Sequence, residues 1–566
     1  MSVSNCPDHP HPDRYAHHAP WDLDLPPLTM PEMFARSARE HAASPMIEFL
    51  GRTYSYAEIE AEARRFARGL QDRGIAKGDR IGLFLPNVPI YPAAYYGAMM
   101  MGAVVVNFSP LYTAEELAHQ VEDSGTRLLV TLAVPALLPT ALKVLDGSTL
   151  DTLVVGELPA MLPRLKGLAM RVLKRGDLSS VPSRKDVCRW DDCLGNGAPD
   201  PVELDATTDL ALLQYTGGTT GRPKGAMLTH QNLSANARQV DSIDPFKTDP
   251  GHEDRIMGVL PLFHVFANTC VLNRTVLAGG CIAMLPRFEA GDALKTMENS
   301  RASAFPGVPT MYQALLDAPG AKNTDFSALK ICISGGAPMN ARVQQEFEER
   351  AGARLVEGYG LTESAGVVST NPYRGENRRG TIGQPLPQTR VCLVNKEDPT
   401  VRVDNDEPGE LIVAGPQIMA GYWNRPESAA DAFVEHDGRR WLRTGDVATI
   451  DADGYIAIVD RIKDMIAVGG FKVFPSEVEK VLQTHDAVKE VLVIGVPDDY
   501  LGEVPKAFVV RDPSSEISAQ SLREWANLNL GKHERLSAVE LRDELPKTMI
   551  GKLDRKALRE EVLGQN

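Results

Sequence analysis

Tyr215-Thr216-Gly217-Gly218-Thr219-Thr220-Gly221-Arg222-Pro223-Lys224-Gly225-Ala226 is the stretch from which the rest of the chain is read. An apolar run, Leu210 to Leu213, leads into it and reads as the end of a buried strand. Beyond it, Thr229 is placed to cap a helix running towards Val240. The glycines leave the backbone free to fold tightly and aim bare N–H groups at an anion. The threonines add small donors without bulk, and Lys224 adds a cation. That chemistry suits a polyphosphate. The P-loop of nucleotide hydrolases is excluded, because its lysine follows glycine and precedes Ser or Thr. Here the lysine follows Arg222-Pro223 and precedes Gly225. A plain Gly/Thr turn is the alternative, and the length of the pattern argues against it.

The chain has 566 residues, too many for one core, so two or more domains are expected. A net charge of -15 argues against general nucleic-acid binding, which needs a basic footprint. None of the seven cysteines forms Cys-x-x-Cys, which predicts reduced thiols in a cytosolic compartment and no zinc site. No apolar core follows Met1, so no secretory leader is read. His9, His11, His17 and His18 lie among prolines, in what reads as a disordered tail over 1–25 rather than a metal tract. Ile90 to Phe108 is long enough to cross a bilayer. Its Ala, Gly, Tyr and Pro92 content fits a buried helix running into a buried strand better.

In order, the pattern predicts helices over Met30–Ala43 and Thr53–Asp72. A strand-helix-strand crossover follows from Arg80 to Phe108, then a helix capped by Thr113 with Glu116, then a strand over Arg127–Thr131. Between Arg164 and Arg175, basic residues alternate with Leu165, Leu168, Met170 and Leu173. This is a basic amphipathic segment in an acidic protein, either a solvated helix or one that lies on a membrane. Arg255–Pro261 reads as a strand, strands over Ala328–Ser334 and Arg354–Glu357 end in glycine-bearing turns, and sites in such sheets lie beyond the carboxyl ends of strands. From Gly409 short strands and an Asp453-Gly454 turn predict a small β-rich lobe. Beyond Asp464 a compact α+β domain is expected, with Ser476 and Glu479 as a capping box.

The motifs taken together resemble the adenylate-forming superfamily of acyl-CoA synthetases, luciferases and peptide-synthetase adenylation domains. The resemblance rests on Tyr215 to Ala226, Leu260 to Phe266, Gly358 to Glu363 and Thr444-Gly445-Asp446. It continues through Asp460 to Asp464 with Gly469-Gly470, and Pro546-Lys547-Thr548 with Gly551-Lys552. Within the superfamily the chain is most similar to medium- and long-chain fatty acid–CoA ligases. The fold class expected is α/β. A large domain of parallel and mixed sheets with flanking helices and a β-rich lobe would span 26–462. A small mobile α+β domain would span 463–566, hinged at Lys463.

The resemblance implies ATP, a carboxylic acid and CoA as substrates, with Mg²⁺ arriving with ATP. Thr216, Gly217, Gly218, Thr219, Thr220, Gly221 and Lys224 would hold phosphate. Thr219 and Glu363 would hold the metal, and Thr362 the α-phosphate. Gly335, Gly336, Ala337 and Pro338 would wall the adenine, Tyr359 would stack on it, and Glu357, Gly358 and Gly360 would complete that site. Asp446 and Arg461 would reach the ribose, and Lys552 would bridge carboxylate and phosphate during adenylation. Gly469, Gly470 and Lys472 would serve CoA after a domain rotation. Phe263, His264, Val265, Phe266, Asn268 and Gly307 would line the acyl pocket, with His264 as its gate. A histidine at that place argues against an amino-acid substrate, and Asn268 stands where some relatives carry a tryptophan gate. An acid–thiol ligase acting on a fatty acid is therefore expected. Aryl- or dicarboxylate-CoA ligation, or acyl-AMP supply to a carrier protein, are the alternatives. The expected place is the cytoplasm, with weak peripheral contact at the inner face of the membrane and a homodimer left open.

Overall fold

The computed structural model describes residues 14–216, 223–469, 471–548 and 551–564. Two large sheets carry the first four hundred residues. One has nine strands, and its centre is parallel: Arg354–Tyr359, Ile331–Gly335, Ala304–Gly307, Arg255–Gly258, Cys281–Met284 and Pro45–Phe49 lie side by side. The other has eight strands, with Leu210–Thr216 between Val104–Asn107 and Lys224–Thr229. Both central strand sets are buried over most of their length and mainly apolar, as strands covered on both faces tend to be. The helix Ile90–Met100 is buried nearly all round and runs into the buried strand Val104–Asn107, the arrangement expected for the stretch long enough to span a bilayer. Among the described residues no helix is long and apolar enough to cross a membrane.

The caps at Thr113 and Thr229 form as expected, each hydroxyl accepting from the backbone N–H three residues on. Other readings change. Residues 14–25 are not a loose tail: Tyr15 Oη donates to Pro385 O at 2.9 Å, Ala16 N donates to Gln384 Oε1 at 2.8 Å, and Trp21 Nε1 donates to Thr389 O at 3.2 Å. The buried ring of His17 closes on Gln384 O at 3.2 Å. Sequence composition recorded the prolines there but not the partner surface some 370 residues away. On the far side of the glycine run, Lys224–Thr229 is a strand antiparallel to Leu210–Thr216, and it leads into the helix His230–Ser242 that Thr229 caps. The capping box at Ser476 and Glu479 is absent. Ser476 N donates to Asp460 Oδ2 at 2.7 Å, and Glu479 is drawn away to Arg555 at 2.7 Å. Cys188, Cys193, Cys270, Cys281 and Cys332 are free thiols.

The β-rich lobe is a five-stranded antiparallel sheet in which Arg439–Ile450 is one long bulged strand rather than two. The last hundred residues build a separate sheet of five strands. The buried core of that sheet draws only on residues from Ile466 onward.

Candidate active site

The two parallel sheets end their strands towards a common crevice, and the site grows out of those ends. Strand Leu210–Thr216 delivers Thr216 opposite Lys224 across the hairpin. The tip itself, with Gly217, Gly218, Thr219, Thr220 and Gly221, lies outside the described residues. Its base is held firmly. Tyr215 Oη donates to Asp123 Oδ2 at 2.7 Å, Arg425 pairs with Asp123 Oδ1 at 2.6 Å, and Trp423 Nε1 donates to Asp123 O at 3.1 Å. None of Asp123, Trp423 and Arg425 was legible as a site residue. Asp123 lies 92 residues from Tyr215 in the sequence and 300 from Trp423, so only folding brings them together at the loop.

Glu363 sits in the short helix Thr362–Ser364, just past the end of strand Arg354–Tyr359. Tyr422 Oη donates to Glu363 Oε1 at 2.6 Å, and the Lys224 ammonium lies 5.2 Å from the centre of the Tyr422 ring. Tyr422 therefore ties the hairpin lysine to the carboxylate, a role the sequence gave no sign of. Glu357 is buried one strand-turn earlier. Its carboxylate accepts from Met339 N at 3.0 Å, and burial pushes it up to about 7. It fastens the loop after Gly335. Gly358 is in the same strand. Gly360 is required by close approach, since a Cβ there would fall 1.8 Å from Gly366 O.

Asp446 is buried and accepts from Tyr359 Oη, while Arg461 Nε meets its other oxygen at 3.1 Å. Burial, and then the Asp446 charge, hold the Tyr359 phenol well above its usual range. Asp446 and Arg461 are register partners on adjacent antiparallel strands, which is why residues 15 apart meet.

Lys552 arrives from the C-terminal domain. Thr310 Oγ1 donates to Gly551 O at 2.9 Å and anchors the turn that carries it. A Cβ on Gly336 would lie 2.0 Å from Lys552 Cε and 2.2 Å from Nζ, so the lysine tip rests on the glycine backbone. Gly336 has φ +85°, which suits glycine twice over. Among the described residues the Lys552 ammonium has no hydrogen bond and no ion pair. Burial, and then Arg461, pull it down to about 8. His264 faces the same space. Its Nδ1 accepts from Phe266 N at 3.3 Å, and burial, helped by the Lys552 charge, lowers it to about 3, so the ring is neutral. The Phe266 ring covers Gly335, whose Cβ would fall 2.9 Å from it. Val265 and Gly307 are buried close by, and Phe263 is half-buried.

Asn268 stands apart from this group. It is fully buried, and its Oδ1 accepts from Tyr95 Oη at 3.0 Å and Asn273 Nδ2 at 2.9 Å. It belongs to a polar seam with Tyr95, Tyr96 and Asn273, and this fixes its rotamer; a residue so held does not swing as a gate. Ala337 and Pro338 are accessible beside Gly336, and Thr362 is half-buried beside Glu363. Gly469 (φ +55°) lies on the C-terminal domain, and Gly470 lies outside the described residues. Lys472 pairs with Glu397 at 2.9 Å, away from Lys552. Lys463 is in the turn Ile462–Asp464, where Arg555 clamps the strand ends. Arg555 meets Glu479 at 2.7 Å, Asp464 at 3.1 Å and Asp460 at 3.9 Å.

The arrangement brings together the Lys552 ammonium, unpaired among the described residues, the neutral His264 imidazole and the oriented carboxylates of Glu363 and Asp446. That is a place for an anion to be bound and attacked. Comparison with known proteins agrees. Residues 34–423 match the AMP-binding enzyme family, and residues 477–552 match the AMP-binding enzyme C-terminal domain. A long-chain-fatty-acid–CoA ligase of Bacillus subtilis (strain 168) is 37% identical over 551 residues, covering 97% of each chain. One from Escherichia coli O6:H1 is 38% identical over 574 residues, covering 99% of this chain and 97% of its own. The ATP-bound crystal structure of MatB from Rhodopseudomonas palustris superimposes with a TM-score of 0.78 at 29% identity, over 94% of this chain and 99% of that one.

Proposed function

Because the chain belongs to the AMP-binding enzyme family, we propose that it is an acyl-CoA synthetase acting on medium- to long-chain fatty acids. It joins a fatty acid to CoA at the expense of ATP, releasing AMP and pyrophosphate through an enzyme-bound acyl-adenylate. The observation that carries this reading is Lys552, brought by a second domain against Gly336 with its ammonium unpaired among the described residues. In the first half-reaction a carboxylate oxygen attacks the α-phosphorus and the bond to pyrophosphate breaks. Two anions must approach each other, so a fixed cation at their meeting point lowers the barrier. Lys552 is that cation, assisted by Thr362. Thr216, Lys224 and the hairpin tip take the β- and γ-phosphates, and Asp446 takes the ribose in exchange for its present partners Tyr359 and Arg461. Gly335 to Pro338 form the adenine wall.

Mg²⁺ enters as part of the nucleotide substrate. Glu363 fits it: one oxygen is oriented by Tyr422 and the other has no hydrogen bond among the described residues, which suits a hard ion that keeps several waters. In the second half-reaction the CoA thiol attacks the acyl carbonyl and AMP leaves. Lys552 then occupies ground that CoA needs, so the C-terminal domain turns about Lys463, bringing Gly469, Gly470 and Lys472 to the thiol path. Its separate core permits this turn as a rigid body. His264, kept neutral, yields to the thiol at the mouth of the acyl pocket formed by Phe263, Val265, Phe266 and Gly307. The test is pyrophosphate release across acids from acetate to palmitate, with benzoate, malonate and an amino acid included, with and without CoA. Palmitate or octanoate should lead, and product should accumulate as thioester only with CoA. A leading amino acid, or acyl-AMP as the sole product when CoA is present, would reject the reading.

A further inference from the structure

The helix Arg164–Leu173 leaves its apolar face in solvent. Leu165 is 84% exposed, Leu168 62%, Val172 61% and Leu173 81%. Leu165, Leu168 and Val172 follow the i, i+3, i+7 spacing that puts side chains on one face of a helix. The opposite face carries Gly167, whose Cβ position lies 2.3 Å from Pro159 O, so the helix rests on the preceding turn through its one buried residue. The attached side is thus Gly167 with the partly buried Met170 packed on the core, while Leu165, Leu168, Val172 and Leu173 point outward. Arg164 and Arg171 flank the apolar face on one side and Lys166 on the other, with Lys174 and Arg175 at the helix end. Lys166 is engaged, donating to Leu50 O at 3.0 Å. The other four bases are exposed and make no ion pair among the described residues. They form this cluster in a chain whose net charge is -15.

We infer that this helix is the surface by which the enzyme docks on an anionic lipid bilayer, the helix axis lying in the plane of the headgroups. A soluble surface pays no benefit for three leucines and a valine in water, whereas the acyl boundary of a bilayer buries them. Arginine and lysine at the flanks reach outward to lipid phosphates while their stems stay apolar. The cations favour an anionic surface over a zwitterionic one and over another copy of an acidic protein, which makes charge the feature that selects the occupant. The inference rests on the proposed fatty acid substrate only for its purpose, since a bilayer is where such acids dissolve; the docking itself stands or falls separately.

The test is flotation of the full-length protein with vesicles of phosphatidylcholine alone or with 30% phosphatidylglycerol (about that fraction suffices for a strongly negative surface). Two variants accompany it. One replaces Leu165, Leu168, Val172 and Leu173 with Ser, and the other carries Arg164→Glu, Arg171→Glu, Lys174→Glu and Arg175→Glu. Wild type should float with the anionic vesicles at low salt and lose that binding as salt rises. Each variant should bind at least about tenfold more weakly. Both should retain wild-type turnover of a monomeric short acid in detergent-free buffer, because none of these residues is in the cleft. Wild type that ignores anionic vesicles at low salt overturns the inference, and so does equal flotation of wild type and both variants. If sedimentation equilibrium finds self-association that only the serine variant loses, the face belongs to a second copy and the lipid assignment is wrong. Loss of turnover with intact flotation would count against the proposed activity and leave the docking standing.

Discussion

Replacing Lys552 with Ala gives the sharpest test of the chemistry. Its ammonium titrates near 8 against an ordinary 10.5, so burial and Arg461 place the cation at a disadvantage of about 3 kcal/mol in the empty cleft. Nothing among the described residues compensates it. An anion formed against Nζ relieves that disadvantage, and the relief is available to the transition state of adenylation. About 3 kcal/mol corresponds to a rate factor on the order of 10². Removing one preorganised donor from an anionic transition state elsewhere costs about 10²–10³, which brackets the same figure. The assay separates the halves. Acid-dependent exchange of labelled pyrophosphate into ATP reports adenylation, and thioester formation from supplied acyl-AMP and CoA reports the second step. Lys552→Ala should lower the first about 10²–10³-fold and leave the second within about threefold. Circular dichroism should be unchanged, since the side chain closes no hydrogen bond. If supplied acyl-AMP is used as poorly as ATP plus acid, the assignment of Lys552 to adenylation is refuted.

Further outcomes follow from the same geometry. The Lys552 cation is present below pH 8 and lost above it, so kcat/KM for ATP in the exchange assay should fall as pH rises through about 8; Lys552→Arg, which stays charged, should flatten that limb. Gly336→Ala places a methyl 2.0 Å from Lys552 Cε at φ +85°, so pyrophosphate exchange should collapse while the melting temperature of the large domain shifts by only a few degrees; equal loss of fold and activity would mean that strain, not displacement of the lysine, is responsible. Tyr422→Phe removes the 2.6 Å bond to Glu363 and should weaken adenylation about tenfold, with a rightward shift in the Mg²⁺ dependence measured at fixed ATP. Arg555→Ala leaves Glu479 and Asp460 buried without their counter-ion, which costs about 3–5 kcal/mol. Hydrogen exchange should rise through Pro475–Gln483 and Arg555–Leu563, and protection equal to wild type would show that the clamp is not structural.

The sequence by itself determined the alternation of strands and helices and the separate final domain, and it named the candidate site residues. These features are local: a glycine-rich turn, a hydroxyl cap or an apolar strand is written in consecutive residues, and backbone sterics and burial read it directly. It also singled out Lys224, Glu363, Asp446 and Lys552 as candidates through the ordered motifs. What it left out depends on chain segments that meet only after folding. The hairpin at the phosphate-type loop needed strand Lys224–Thr229 to pair back on Leu210–Thr216, where the sequence showed only a threonine cap further on. Tyr422 became the partner of Glu363, and Asp123 the anchor of Tyr215 and Arg425, across separations that no spacing records. Glu479 looked like a cap because three residues separate it from Ser476, yet Arg555 offers its carboxylate a full charge where the helix end offers one N–H. Asn268 looked like a pocket residue from its place after His264, and the buried seam of Tyr95 and Asn273 took it instead. The outward face of Arg164–Leu173 was undecidable from its pattern, because an amphipathic helix reads alike whether its apolar side meets a core or the solvent. Tertiary structure decided it by placing Gly167 and Met170 against the protein and leaving Leu165, Leu168, Val172 and Leu173 in solvent.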